Sequence, residues 1–184
     1  HYSTDYVFDG TKAEPYTEED RPNPINAYGR SKLAGEKAIL KSGCDHLVLR
    51  TTWVYASRGS NFLKTMLRLA REREELSIVA DQHGSPTWAR NIADTTAHII
   101  TIAQQERKAS GFTSGIYHCS SSGNTTWYGF ANAIIERARQ IAPVDTIKTK
   151  RVMPISTEDY PLPAPRPRNS QMDSNFLMTR FKIT

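Results

Sequence analysis

Short apolar segments alternate with longer amphipathic segments along this chain of 184 residues. Short apolar runs are typical of buried strands, whereas apolar residues three and four positions apart are typical of a helix that packs on a sheet. This alternation favours a parallel sheet, because a helix is the usual connection between parallel strands. The pattern predicts an α/β fold, with strands at 46–50, 76–80, 115–121 and 147–152 and helices at 27–41, 61–74, 91–105 and 125–141.

The first residues, YSTDYVF, alternate small or polar side chains with large ones, which is typical of a strand. Because this strand pattern begins at once and no methionine precedes it, we expect the sequence to be a fragment of a longer protein. Residues 9–26 are rich in turn-forming and acidic residues and predict a surface loop. Asn26 is a suitable N-cap for the helix that follows. Gly35 inside that helix predicts close packing on the sheet, since an exposed glycine there costs ~1 kcal/mol.

The charge distribution favours a small anionic ligand over a nucleic acid. Lys and Arg number 24 against 19 Asp and Glu, a formal charge of +5. Both signs are interspersed, as in REREE at 71–75, and no basic stripe interleaved with aromatic residues is present. No apolar run approaches the ~18 residues of a membrane span. We therefore predict a cytoplasmic protein with neither a nucleic acid nor a membrane as partner.

No group of residues predicts a metal site or a disulfide. Cys44 and Cys119 have apolar neighbours in sequence and lack metal-ligand spacing, so we expect two reduced structural thiols. The acidic run at 18–20 is expected to be solvated. We expect four histidines to be structural or exposed: His46, His83, His98 and His118.

A tyrosine and a lysine lie four residues apart at the start of the first predicted helix. Tyr28 and Lys32 are therefore neighbours on one face, and their phenol and ammonium can act at one point. A phenol is a slow proton donor at neutral pH unless its anion is stabilised, as a nearby ammonium would do. Thr4, at the end of the first strand, is expected at the same edge of the sheet. The three side chains predict a proton donor for a carbonyl group, against the alternative of a solvated lysine beside a half-buried tyrosine.

Five segments in a fixed order extend this interpretation: STDYVFDG, YGRSKLAGE, LRTTWVYA, DQHGSPT and RPRNS. Together they resemble the dTDP-4-dehydrorhamnose reductases of the extended short-chain dehydrogenase/reductase family, over essentially the whole chain. The resemblance implies the later strands of a Rossmann-like doubly wound parallel sheet and a small α/β substrate-binding domain. We expect residues 1–57 to be the C-terminal part of an NAD(P)-binding domain. Residues 58–184 would be mainly the substrate-binding domain, interleaved with a late Rossmann strand and helix.

The same resemblance implies NAD(P)H-dependent reduction of the 4-keto group of dTDP-4-dehydro-L-rhamnose to dTDP-L-rhamnose, a step of cell-surface polysaccharide biosynthesis. The catalytic residues would be Tyr28 as the acid, together with Lys32 and Thr4. Tyr2, Tyr28 and Lys32 would contact NADPH or NADH. The residues expected to contact the dTDP-sugar are Thr4, Asp5, Trp53, Arg166 and Asn169.

One part of the family pattern is missing from the sequence. The glycine-rich G-x-x-G-x-x-G turn, which holds the cofactor pyrophosphate at a helix N-terminus, does not occur here. It precedes the tyrosine motif in the family, and only 27 residues precede Tyr28 in this chain. We therefore expect an N-terminal half in the parent protein and no activity from the fragment alone. A homodimer and a Mg²⁺ ion at its contact are further features of some members, and no motif here places the metal.

Two alternatives remain open. Dehydratases of the superfamily follow the threonine with Asp-Glu, whereas Thr4 and Asp5 are followed here by Tyr6. This difference favours reduction over elimination, while another sugar-nucleotide epimerase or dehydratase remains an alternative. The second alternative is a non-catalytic regulatory relative, such as the beta subunit of methionine adenosyltransferase. Retention of the tyrosine, lysine and threonine argues against it.

Overall fold

A computed structural model describes residues 1–183. They form helices and strands, and most of the paired strands are parallel. The helices are α1 (Ala27–Lys41), α2 (Phe62–Glu72), α3 (Ala89–Lys108), α4 (Trp127–Ile141) and α5 (Asn175–Phe181). The strands are β1 (Tyr2–Thr4), β2 (Leu47–Thr51), β3 (Val54–Tyr55), β4 (Glu75–Val79), β5 (His83–Gly84), β6 (Thr87–Trp88), β7 (Gly115–His118), β8 (Thr125–Thr126) and β9 (Arg151–Ile155). The predicted α/β class is confirmed.

The central sheet is parallel, with the strand order β1–β2–β7. Thr4 pairs with Thr51, so β1 and β2 end at the same edge of the sheet. Strand β7 joins this sheet although it comes from the region expected to be mainly substrate-binding, as the predicted interleaving implies. The division of the chain at residue 57 stays a prediction. Thr184, the end of the second predicted region, lies outside the described residues.

Helix α1 begins and ends where the sequence predicts. The Asn26 side chain accepts a hydrogen bond from the backbone N–H of Gly29 at 2.8 Å, as an N-cap does. The expectation for Gly35 is wrong, because a β-carbon there would meet only the His1 side chain, at 3.8 Å. The close approach is at Gly29 instead, where a β-carbon would lie 2.0 Å from the carbonyl oxygen of Tyr6.

Several strand boundaries differ from the prediction. Strand β1 stops at Thr4, because Asp5–Val7 form one turn of 3-10 helix. The segment 81–88, for which no strand was predicted, contains β5 and β6, which pair with β8 and β3 respectively. The last strand lies at Arg151–Ile155 rather than 147–152, where it pairs with β4 in parallel. Two-residue strands have no side-chain periodicity, so a pattern search has nothing to detect.

Several apolar clusters support these elements. Helices α3 and α5 pack on the central sheet, in a cluster that also contains Cys119. Helices α2 and α4 pack on each other and on β4 and β9. Both cysteines are free thiols, and Cys44 is exposed rather than in apolar surroundings. Within residues 1–183 no helix has the length and apolar character needed to cross a bilayer.

Candidate functional site

Thr4 lies buried at the end of β1, where it caps the short 3-10 turn. Its hydroxyl accepts a hydrogen bond from the backbone N–H of Tyr6 at 3.3 Å and donates one to Asp5 Oδ1 at 2.9 Å. A hydroxyl has one proton and two lone pairs. Thr4 therefore retains one lone pair, and it can accept a further hydrogen bond but cannot donate one while it donates to Asp5.

Asp5 is a buried carboxyl group at the same edge of the sheet, with 4% of its surface exposed. Burial raises the pKa of Asp5 to about 6, and the hydroxyl groups of Ser170, Thr4 and Thr52 partly oppose this rise. Asp5 Oδ2 and Thr52 Oγ1 have no hydrogen-bond partner of ordinary geometry among residues 1–183. Because Oδ2 lies beneath the surface, this geometry supports a role in orienting Thr4. Direct contact of Asp5 with a sugar stays a prediction.

Tyr28 lies in the first turn of α1 and is 55% exposed. Its ring meets the ring of Tyr6 edge-on, with centroids 5.9 Å apart and an interplanar angle of 79°. In the described part of the chain no hydrogen bond involves the Tyr28 hydroxyl group. The phenol is therefore held by its ring, while its hydroxyl group is free to donate to a ligand.

Lys32 lies one turn further along α1 and is anchored to the first strand. Its Nζ donates a hydrogen bond to the carbonyl oxygen of Tyr2 at 2.5 Å. No hydrogen bond joins Lys32 to Tyr28 within residues 1–183, so the expected influence of the ammonium on the phenol stays a prediction. Tyr2 itself is 46% exposed, and its hydroxyl shares a hydrogen bond with Thr96 Oγ1 at 2.8 Å. Tyr2 and Lys32 thus present a polar surface beside Tyr28 without blocking its hydroxyl group.

A buried ion pair that the sequence analysis missed fixes α1 against the sheet. Arg50 Nη2 and Glu36 Oε2 lie 2.7 Å apart, Arg50 Nε donates to Glu36 Oε1 at 3.0 Å, and Ser3 also donates to this carboxylate. The two charged side chains are only 3% and 2% exposed. A bidentate pair of this kind has a defined geometry. Arg50 inside the apolar run HLVLR is the signal that was available, because buried arginine almost always has a partner.

Trp53 follows β2 and has a left-handed backbone conformation, with φ of 43°. It comes directly after Thr52, whose hydroxyl lies close to Asp5. Its indole stacks on Trp127, with ring centroids 3.6 Å apart and an interplanar angle of 10°. Trp53 therefore lies at the same edge of the central sheet as Thr4, which is where a substrate contact requires it.

A groove of about 800 Å³ runs between the loop after β1 and the RPRNS segment. Its cationic lining residues are Lys12, Arg166 and Arg168. Lys12 pairs with Asp20 at 2.7 Å and Arg168 with Glu158 at 3.3 Å, whereas Arg166 has no ion-pair partner within residues 1–183.

Arg166 also acts on Tyr6. Burial is the main cause that raises the pKa of Tyr6, and the Arg166 guanidinium partly opposes it. Tyr6 contacts the exposed phenol of Tyr28, but neither tyrosine lines the groove.

Asn169 makes its side-chain hydrogen bonds within the protein. Its amide donates to the carbonyl oxygens of Lys12 at 2.8 Å and Glu14 at 3.0 Å, and it accepts from the N–H of Gln171 at 2.9 Å. These bonds hold the RPRNS segment against residues 12–14. The geometry gives Asn169 a structural role, and its contact with a substrate stays a prediction.

Glu18 differs from the expectation that the acidic run at 18–20 is solvated. Glu18 is half-buried rather than solvated, because its Oε1 accepts a hydrogen bond from the backbone N–H of His118 at 2.7 Å. His118 is fully buried, its Nδ1 lies 3.1 Å from the Tyr16 carbonyl oxygen, and burial lowers the pKa of His118 to about 4. Over residues 1–183 no three His, Cys, Asp or Glu side chains are grouped so that they could hold a metal ion.

Comparisons with known proteins agree on one family. The profile of the family described as RmlD substrate binding domain matches residues 1–184. The chain is 57% identical to a dTDP-4-dehydrorhamnose reductase of Burkholderia thailandensis and 45% identical to that of Escherichia coli K12. Each match covers 100% of this chain, but only 61% and 59% of those relatives. The chain therefore spans about 60% of the length of the curated relatives it matches.

Solved structures show the same similarity. A dTDP-4-dehydrorhamnose reductase from Bacillus anthracis, in complex with NADP, superposes with a TM-score of 0.78 at 39% identity. The match covers 98% of this chain and 58% of that one. A dTDP-4-dehydrorhamnose reductase from Clostridium acetobutylicum gives a TM-score of 0.78 at 36% identity, with 97% and 57% of the two chains covered.

Proposed function

The chain belongs to the RmlD substrate binding domain family, as the five segments predicted, and we propose from this that a protein containing it reduces a dTDP-linked 4-keto sugar. The proposed reaction converts dTDP-4-dehydro-L-rhamnose to dTDP-L-rhamnose. One observation carries the proposal: the Tyr28 phenol is exposed, makes no hydrogen bond within residues 1–183, and lies one turn from Lys32 on α1. We also propose that the protein acts in the cytoplasm, where nucleotide sugars and nicotinamides are available. A homodimer stays a prediction.

In this proposal Tyr28 is the acid. Its hydroxyl donates a proton to the 4-keto oxygen, which becomes the 4-hydroxyl group of the product. The ammonium of Lys32 stabilises the phenolate that remains, and solvent returns the proton because Tyr28 is exposed. The free lone pair of Thr4 accepts a hydrogen bond from a sugar hydroxyl, since the Thr4 proton is already donated to Asp5.

A reduced nicotinamide dinucleotide, when bound, supplies the hydride to the carbonyl carbon. The residues present fit its nicotinamide end, because Lys32 has two N–H groups left after its bond to Tyr2 and because Tyr2 and Tyr28 are exposed. The sequence has no glycine-rich turn for the pyrophosphate. The proposed activity therefore belongs to a full-length protein in which another segment supplies that turn.

The groove fits a nucleoside diphosphate. A guanidinium group can bind phosphate oxygens through two parallel hydrogen bonds. Arg166 is the arginine of the groove that has no carboxylate partner in the described part of the chain. A diphosphate bound by Arg166 would lie in the groove. This arrangement supports a sugar nucleotide rather than a free sugar as the substrate.

The test is an assay of the full-length protein with dTDP-4-dehydrorhamnose and NADPH or NADH, followed by the loss of nicotinamide absorbance. We expect turnover by the wild type and by Tyr160→Phe, a matched control at a tyrosine that is 54% exposed outside the site. We expect almost none from Tyr28→Phe. Binding of dTDP-L-rhamnose without any turnover would overturn the proposal and favour a non-catalytic relative.

A further inference from the structure

The backbone of Trp53 is held in a conformation that a non-glycine residue adopts rarely. Its φ of 43° lies in the left-handed region. Such a conformation persists only when surrounding groups determine it, and it is frequent at binding sites. The contacts that determine it come from two segments distant in sequence, DQHGSPT and the start of α4.

Gly84 of the DQHGSPT segment leaves space for the indole. A β-carbon at this position would lie 2.5 Å from Cε2 of Trp53 and 2.8 Å from Nε1. No other amino acid fits there unless the indole moves. On α4, Trp127 stacks flat on the same indole, with the centroids 3.6 Å apart. The indole of Trp53 is therefore confined by a glycine and by a parallel ring.

Trp127 is itself held by hydrogen bonds. Its Nε1–H donates to Gln82 Oε1 at 3.2 Å, and Gln82 Nε2 donates to Thr157 Oγ1 at 3.0 Å. Thr157 donates in turn to the carboxylate of Asp81, at 2.7 Å. Gln82, the middle member of this chain of bonds, is buried, with 4% exposure. Each member has a fixed donor or acceptor role, and the orientation of the Trp127 ring follows from it.

The indole N–H of Trp53 remains available. No described residue accepts a hydrogen bond from its Nε1, and this nitrogen is not among the fully buried unpartnered atoms. The residue is half-buried and directly follows Thr52, beside Asp5. A ligand at the edge of the central sheet can therefore receive a hydrogen bond from a ring whose position is already set.

We propose that Gln82 and Trp127 are positioning residues, which fix the Trp53 indole so that its N–H donates to the bound sugar nucleotide. This inference rests on the proposed function, because it assigns the DQHGSPT segment to substrate orientation. Gln82 and Trp127 do not contact the substrate themselves. They act through Trp53, as the stack and the hydrogen-bond chain indicate.

The test uses the full-length protein and four variants. Gln82→Met removes the acceptor for Trp127 with little change in volume, and Gln82→Glu keeps an acceptor oxygen. Trp127→Leu removes the stack. Trp88→Phe is the matched control, because Trp88 is exposed and belongs to no stacked pair in the described part of the chain. Two parallel indoles in contact couple their electronic transitions, so circular dichroism reports the stack directly.

We expect wild type and Trp88→Phe to show the coupled indole signal and to have equal KM values. In Gln82→Met and Trp127→Leu we expect the signal to weaken and KM for the sugar nucleotide to rise about tenfold, the upper range for one hydrogen bond. KM for the nicotinamide should not change. Gln82→Glu should restore both readouts in part, because it accepts from Trp127 but cannot donate to Thr157. Loss of the signal without a change in KM for the sugar nucleotide would overturn the inference, and so would absence of the signal in the wild type.

Failure of the proposed function gives a different result. If the wild type has no turnover, the variants are compared by titration with dTDP-L-rhamnose. Weaker binding by Gln82→Met than by Trp88→Phe would then support the positioning role although the reduction is refuted. Equal binding by the two variants would overturn the positioning role.

Discussion

Gly29→Ala is the substitution that most directly tests how α1 packs against the turn after β1. The added β-carbon would lie 2.0 Å from the Tyr6 carbonyl oxygen and 2.9 Å from the β-carbon of Pro24. The oxygen belongs to the backbone of the 3-10 turn after β1, so it cannot rotate away as a side chain would. The start of the helix would have to retreat by roughly 1.4 Å to reach an ordinary contact distance.

Two opposing effects set the change in stability. Overpacking of this kind costs about 1 to 3 kcal/mol, whereas alanine favours a helix over glycine by ~1 kcal/mol. We therefore expect the free energy of unfolding to fall by up to about 2 kcal/mol. The effect on turnover is larger, because a ~1 Å displacement of a catalytic group costs about 100-fold in rate. Tyr28 is the neighbouring residue and would move with the helix.

Gly35→Ala is the matched control in the same helix. A β-carbon there meets only the His1 side chain at 3.8 Å, so the helix preference acts alone and should raise stability by ~1 kcal/mol. Urea unfolding of the 184-residue chain measures both free energies, and turnover of Gly29→Ala is measured in the full-length protein. Equal stability of the two variants, or Gly29→Ala with wild-type turnover, would refute the close contact with Tyr6.

Four further outcomes are expected. Tyr28→Phe should lower turnover at least ~100-fold while dTDP-L-rhamnose binding stays within about twofold, and retained turnover would exclude it as the acid. Since the pKa of Asp5 is raised from 3.8 to about 6 by burial, its ionisation opposes folding, and wild-type stability should lose about 2 kcal/mol between pH 4 and 6 relative to Asp5→Asn. Parallel urea-midpoint curves for these two proteins would contradict this. Glu36→Gln should cost about 3 to 5 kcal/mol in urea unfolding because it leaves Arg50 buried without its partner, against less than ~1 kcal/mol for Glu72→Gln in an exposed pair. Calorimetry on the 184-residue chain alone should give NADPH and NADH dissociation constants weaker than ~10 μM, and tighter binding would show that the glycine-rich turn is dispensable.

The sequence predicts best what is determined locally. The N-cap of helix α1 and its length of about 15 residues were predicted, because an N-cap side chain and the apolar spacing lie within the segment itself. The exchange of roles between Gly29 and Gly35 was not predictable, since the contact of Gly29 is with a carbonyl oxygen 23 residues earlier in the chain. The identity of the partner of Arg50 was not predictable either, because Glu36 lies on another element.

In the candidate site the residue types were predictable and their hydrogen bonds were not. A threonine and a lysine near Tyr28 follow from the motifs, but the direction of the Thr4 hydroxyl depends on Asp5 and that of Lys32 on a backbone carbonyl. The stack of Trp53 on Trp127 joins a residue after β2 to the start of α4, and it depends on a glycine from a third segment. Such geometry arises only when the whole chain has folded.

The hydrogen bonds of Asn169 determine when the groove can form during synthesis of the chain. The bonds of the Asn169 amide to Lys12 join residues 157 positions apart, so both walls of the groove come from opposite ends of this sequence. A chain leaves the ribosome N-terminus first. Residues 12–14 therefore remain exposed to solvent until the RPRNS segment has emerged and can bind them. We expect chains that stop before Pro165 to fold the central sheet and yet lack the diphosphate groove. Ligand binding would then distinguish finished molecules from prematurely terminated ones.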